Sequence, residues 1–238
     1  MRNTWDIIID EYDKSAFENM AYDEALLKCL ESAVKKPVLR FYGWNEKCYS
    51  YGYAQKVASL KEQWLEKKLS AVRRPTGGGI VLHEYDISYS LIAPIDEGSF
   101  PRDLNSSYKC FHSAICRGLN FMGIPAALKS VKKKTNSLTY SCFDEPVSYD
   151  IFLDDKKIVG SAQKRTKKLI LQQGTIQLPM FTERNSGLLK ELIDNVLKGW
   201  EYEIGAVFNK RAFDDDEIKS ANRLLNEKYS KDEWNFKY

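Results

Sequence analysis

Two segments of this chain hold side chains whose types and spacing could do chemistry. The first is the glycine cluster Arg73-Arg74-Pro75-Thr76-Gly77-Gly78-Gly79. Lacking Cβ atoms, its backbone can take positive φ and come close to a ligand. Pro75 stiffens its start, and the paired guanidinium groups beside exposed amides suit a carboxylate, an acyl phosphate or a phosphodiester. It is not a P-loop, since no Gly-Lys-Ser/Thr follows, nor a G-x-G-x-x-G turn. A surface hairpin with solvated arginines is the bland alternative. The second segment joins Cys142, in Ser141-Cys142-Phe143-Asp144-Glu145-Pro146, to a basic strand carrying Lys156, Lys157, Lys164, Lys167 and Lys168. A thiol near an ammonium is more readily ionised and can carry an acyl group as a thioester. Against that stand a buried structural cysteine and a solvated, edge-protecting row of lysines.

These residues need elements to hold them. Trp5 to Ile9 predicts a strand, and Ser15 to Leu30 a helix capped by Ser15 with Glu18 three residues on. Val38 to Trp44 and Tyr49 to Tyr53 read as strands. Val57 to Leu69 reads as a helix with Leu60, Trp64, Leu65 and Leu69 on one face. Strands are expected at Ile80 to Leu82 and Ile87 to Ile92, and a helix from Asn105 to Met122 ended by Gly123 and Pro125. Tyr149 to Leu153, Lys157 to Lys164 and Leu169 to Leu178 predict an antiparallel meander. Helices at Gly187 to Trp200 and Asp215 to Tyr229 flank a β-prone piece near Ile204 to Phe208. The class is α+β, with residues 130 to 146 the one linker-like stretch.

The composition narrows the function. The chain has 238 residues, enough for one large domain, with a hydrophobic fraction of 43% and a charged fraction of 29%, ordinary values for a globular protein. A net charge of +3 is far from that of a dedicated nucleic-acid binder. No run approaches the ~20 apolar residues of a membrane span, and the N-terminal Ile run is too short for a signal peptide. Five scattered cysteines without paired CxxC motifs argue against structural zinc and a disulfide framework. A cytoplasmic protein with free thiols is expected.

Arg73 to His83, RRPTGGGIVLH, resembles the RRxxGGGxVxH signature of lipoate-protein ligases and octanoyltransferases. Asp155 to Lys164 resembles their KxxGSAxK/R stretch. The resemblance runs from the first strand to Leu178 and implies a biotin/lipoate-ligase-like catalytic domain of mixed and antiparallel sheets packed by helices. It implies one domain over residues 1–238, with the helices from about 187 open as a small appendage. Arg73, Arg74, Thr76, Gly77, Gly78, Gly79 and His83 would line an acyl tunnel with Gly160, Ser161 and Ala162; for His83 a hydrogen-bonding role is preferred to a catalytic one. Lys157 would contact the carbonyl or phosphate of the activated acyl group, where its ammonium can stabilise developing charge. The GRGRxGR loop of biotin ligases is absent.

The CFDxP segment is similar to that of cysteine-dependent octanoyltransferases and makes Cys142 the candidate nucleophile. Three consecutive glycines are more typical of the ligases, while Gln173 stands where ligases commonly carry histidine. Two readings follow: octanoyl or lipoyl transfer through Cys142 without a cofactor, or ATP- and Mg-dependent ligation of lipoate through lipoyl-AMP. The acyl group is octanoate or lipoate, and no metal site is implied in the protein itself. The implied partners are lipoyl carrier domains of 2-oxoacid dehydrogenase acyltransferase subunits and of the glycine cleavage H protein, with acyl carrier protein a candidate donor and no nucleic acid or membrane. A catalytically silent binder of lipoyl domains, or an RNA-binding protein using Lys132 to Lys134 and Lys164 to Lys168, ranks behind, because that strand lacks interleaved aromatics.

Overall fold

The computed structural model describes residues 3–10, 13–32, 36–95, 100–129, 149–183 and 185–237. Among these, eight strands form the main sheet in the order β11 (Ala206–Lys210), β1 (Asn3–Ile9), β2 (Val38–Tyr42), β6 (Ile87–Pro94), β10 (Leu169–Ile176), β9 (Lys156–Arg165), β8 (Asp150–Leu153) and β7 (Ala126–Lys129). β1 runs parallel to β11 and β2, and every other pairing is antiparallel. The expected meander is β8-β9-β10. A second sheet places β3 (Cys48–Tyr51) between β4 (Ser70–Arg73) and β5 (Val81–His83).

Period-two alternation assigns each face of the main sheet a partner. Ile87, Tyr89, Leu91 and Ala93 of β6 and Ile170 and Ile176 of β10 join the core under α3 (Leu104–Phe121) and α4 (Ser186–Ile204). The intervening residues face α1 (Ala16–Ser32), and along this face the chemistry changes. Ile92, Leu169 and Leu171 pack with Leu26, Leu27 and Leu30 of α1. Nearer the other end, Ser88, Ser90, Gln173 and Thr175 are buried hydrogen-bonding residues. The polar end of that face is where the site forms.

The Ser15 and Glu18 cap is present: Glu18 Oε2 accepts from the Ser15 amide at 2.9 Å and Ser15 Oγ from the Glu18 amide at 3.3 Å. The helix expected from Val57 to Leu69 is shorter. A 3-10 turn at Ala58–Leu60 leads into α2 (Lys61–Glu66); Lys68 then takes φ 52° and Leu69 leads into β4, so Leu65 stays 64% exposed while Trp64 is buried. The helix expected to reach Tyr229 is α5 (Asp215–Leu224) followed by a π turn through Tyr229. β4, β7 and α6 (Asp232–Asn235) were not anticipated.

α3 and α4 cross almost backbone to backbone. A Cβ on Gly199 would lie 2.2 Å from the Ala114 carbonyl oxygen and 2.6 Å from the Gly118 nitrogen. Gly199→Ala therefore gains about 1 kcal/mol of helix propensity but forces apart two rigid backbones, an overpacking cost of ~1–3 kcal/mol. The clash wins, and chemical denaturation should show net destabilisation; an equal or raised midpoint would disprove the close crossing.

Candidate active site

A narrow cavity of about 30 Å³ lies between the polar end of the α1-facing sheet surface and the smaller sheet. Met20 of α1, Tyr42, Trp44, Ser50 of β3, Arg74 and His83 form one side, and Gly160 to Ala162 of β9 with Gln173 to Thr175 of β10 form the other.

A buried ion pair ties these walls together. Arg40 on β2 donates to Asp23 Oδ1 and to Asp10 Oδ2, each at 2.6 Å, and to Asn19 Oδ1 at 2.7 Å. Asp23 also accepts from Ser90 Oγ at 2.7 Å, Tyr42 Oη at 3.0 Å and Gln173 Nε2 at 2.7 Å. Gln173 Oε1 in turn accepts from Thr76 Oγ1 at 2.8 Å. One hydrogen-bonded path thus runs from α1 across the sheet to the glycine loop. Burial works against the Arg40 charge, but the two carboxylates hold its pKa above the ordinary value.

The two arginines part company. Arg73 does not line the cavity: its guanidinium donates to the carbonyls of Tyr53 (2.7 Å), Gln55 (2.9 Å), Trp234 (3.0 Å) and Asn235 (3.0 Å), so it anchors the C-terminal turn to the loop after β3. The guanidinium expected to meet a ligand thus faces backbone carbonyls in this structure. Arg74 does border the cavity, donating to Ser50 Oγ at 2.8 Å and to the carbonyls of Gly77 and Gly79 at 2.9 and 2.8 Å. Gly77 faces open space, whereas Gly78 is exposed at φ 86°, a conformation that favours glycine irrespective of ligand.

His83 stacks on Trp44 with ring centroids 3.9 Å apart. Its Nδ1 lies 2.8 Å from Asp86 Oδ2 and its Nε2 lies 2.6 Å from Ser50 Oγ. Asp86 also accepts from Thr175 Oγ1, from Ser88 Oγ at 3.3 Å and from the Glu84 amide at 3.0 Å. Burial penalises its charge, yet His83 and these donors hold its carboxyl below the usual range.

Lys157 is buried, with Nζ 2.8 Å from Asp150 Oδ2. Its side chain runs along β9 over Gly160: a Cβ there would lie 2.6 Å from Lys157 Cε and 2.9 Å from Nζ. That contact is the physical reason for the K-x-x-G spacing. Ser161 borders the same space, its Oγ 2.7 Å from Nε2 of His112 on α3, whose Nδ1 lies 2.6 Å from the Tyr149 carbonyl oxygen. Burial pushes the His112 pKa down.

The structure therefore brings together Arg74, His83, Gly160, Ser161 and Ala162, with Thr76 and Lys157 directly behind the walls. Cys142 lies outside the described residues. Sequence reasoning missed Asp23, Arg40, Ser50, Asp86, His112 and Asp150; of these, only the His83-x-x-Asp86 spacing offered a local signal.

Several known proteins are similar to this chain. The model of the lipoyl protein ligase A/B catalytic domain matches residues 15–207. Octanoyltransferase LipM of Anoxybacillus flavithermus is 32% identical, over 96% of this chain and 97% of its own length. The LipM of Carboxydothermus hydrogenoformans is also 32% identical, over 99% of each chain. Among solved structures, the T. acidophilum protein Ta0514 with bound lipoic acid superposes with a TM-score of 0.79 at 23% identity, over 98% of this chain and 99% of its own. A lipoate-protein ligase A bound with ATP superposes with a TM-score of 0.80 at 22% identity, over 98% of each chain. With the family model spanning most of the chain and full-length relatives above 30% identity, this protein belongs to the lipoyl protein ligase A/B catalytic domain family.

Proposed function

We propose that this protein transfers an octanoyl group to a lysine of a lipoyl carrier domain, through a thioester on Cys142 and without a nucleotide. The observation that carries the reading is the full-length similarity to octanoyltransferases, in a chain that also has a cysteine eight residues before Asp150, the partner of the buried Lys157. In the first half-reaction the Cys142 thiolate attacks the donor thioester carbonyl, forming octanoyl-cysteine and releasing the donor thiol. In the second, the carrier lysine amine attacks that thioester, forming the amide and releasing the cysteine thiol. Lys157 stabilises the oxyanion of both steps, and Gly160, Ser161, Ala162, Arg74, His83 and the Gly77–Gly79 loop bound the acyl chain. Support for residues 1–238 acting as one catalytic domain comes from β11, which pairs with β1 in the main sheet.

Acyl carrier protein is the proposed donor, and lipoyl domains of 2-oxoacid dehydrogenases and of the glycine cleavage system are the proposed acceptors. A ligase-lipoyl domain pair from Thermoplasma acidophilum is among the solved neighbours. The cytoplasm suits the reading: Cys29, Cys48, Cys110 and Cys116 are free thiols. Among the described residues no helix is long and apolar enough to cross a membrane. The three glycines at 77–79 favour a second reading, lipoate ligation through an adenylate with ATP and Mg.

Incubation with octanoyl donor and no carrier should leave one hydroxylamine-labile octanoyl group on Cys142, identified by peptide mass spectrometry, and Cys142→Ser and Cys142→Ala should abolish transfer. Full activity in both variants would remove the thioester from the mechanism.

Lys157→Ala is an imperfect probe, because it strands the Asp150 carboxylate in the interior at a cost of ~3–5 kcal/mol of stability. Gly160→Ala is cleaner. Its methyl displaces the end of a flexible side chain, so the fold should hold while the misplaced ammonium lowers turnover by about 10²-fold. Lys156→Ala, on an exposed neighbour, should leave turnover unchanged. Normal turnover in a folded Gly160→Ala would show that the position of the Lys157 ammonium does not matter.

A further inference from the structure

The chain has only two histidines, and each places Nε2 within 2.7 Å of a serine Oγ on the cavity wall. Their other nitrogens differ. Nδ1 of His112 faces the neutral carbonyl of Tyr149, in surroundings where burial disfavours a charged ring. Nδ1 of His83 faces the carboxylate of Asp86. An ionised carboxylate only accepts, so Nδ1 of His83 carries a proton, and the neutral ring presents a bare Nε2 to the Ser50 hydroxyl. Ser50 Oγ then donates to His83 and accepts from Arg74, which leaves one lone pair of a wall hydroxyl for a bound group. A ring that gained a proton would have Asp86 directly behind it, with Thr175, Ser88 and the Glu84 amide holding that carboxylate in place.

The geometry points to a proton relay, Ser50 to His83 backed by Asp86, that takes the proton from the acceptor amine as it attacks the acyl carbon. The inference rests on the reading that a carrier lysine is the acyl acceptor. In the step, the neutral amine forms the new N–C bond, one N–H proton passes to Ser50 Oγ, and the Ser50 proton passes to Nε2 of His83. Collapse of the adduct breaks the C–S bond, and the same path returns the proton to the departing thiolate, so amine plus thioester become amide plus thiol. Ser50 is the group that touches the substrate. Asp86 is a positioning residue: it fixes the tautomer and stabilises the imidazolium that forms.

Two acceptors separate this role from a structural one. A lysine amine is strongly basic, so once bonded to the acyl carbon its nitrogen gives up a proton reluctantly; the nitrogen of hydroxylamine is far less basic and releases its proton readily to water. Wild type, Ser50→Ala and His83→Gln would be assayed with octanoyl donor and either a lipoyl domain or hydroxylamine, measuring octanoyl-lysine and octanoyl hydroxamate. The relay predicts that both variants lose about 10²-fold or more in kcat toward the carrier, with carrier KM unchanged, while hydroxamate formation falls less than tenfold. Equal losses toward both acceptors, or no loss toward the carrier, would overturn it. His112→Gln should not change the ratio of the two rates, and a shift matching that of His83→Gln would equally overturn the assignment. A wild type that acylates neither acceptor would sink the transfer reading itself, and the relay with it.

Discussion

Arg40 is completely buried, and the cavity depends on what it pairs with. A guanidinium without water needs its charge met by the protein, and Asp23, Asp10 and Asn19 accept from its two terminal nitrogens at 2.6–2.7 Å, while Nε is left without a partner among the described residues. Removing one partner of such a pair costs ~3–5 kcal/mol because the other is left charged in the interior. The arrangement also transmits position. Asp23 orients Gln173, and Gln173 receives Thr76 of the glycine loop, so the depth of α1 on the sheet determines where the loop sits.

From this frame the two charged walls acquire separate duties. On the β9 side, Lys157 is held between Asp150 and the flat surface of Gly160, so its ammonium is already placed, and under the proposed transfer it would need little reorganisation as an acyl oxygen develops charge. On the side of the smaller sheet, Arg74 spends its donors on the Gly77 and Gly79 carbonyls and on Ser50. It therefore shapes the loop and couples it to His83. The proposed transfer would thus place electrostatic stabilisation and proton handling on opposite faces of one small cavity.

What could be read in the sequence was whatever local pattern determines. The Ser15 and Glu18 capping box, the alternation of β8 to β10 and the two glycine-bearing motifs depend on neighbours in the chain, and the structure contains each of them. The side chains that organise the site depend on partners far away: Ser50 meets His83 across 33 positions, Asp23 meets Gln173 across 150 and His112 meets Ser161 across 49. No periodicity marks such residues, because a polar side chain facing a polar partner looks like any surface serine or glutamine. Arg73 shows the same limit from the other side. Its neighbours suggest a ligand, whereas its acceptors are backbone carbonyls of the loop after β3, Tyr53 and Gln55, and of the distant C-terminal turn, Trp234 and Asn235.

The chemistry is decided most directly by which acyl donor modifies a lipoyl domain. Purified protein and domain would be incubated either with octanoyl acyl carrier protein alone or with ATP, Mg and lipoate, and the domain weighed by intact mass spectrometry. Octanoyl transfer predicts that the domain gains one octanoyl group from the first mixture, with no nucleotide present. Modification only in the second mixture, with release of AMP, would contradict it.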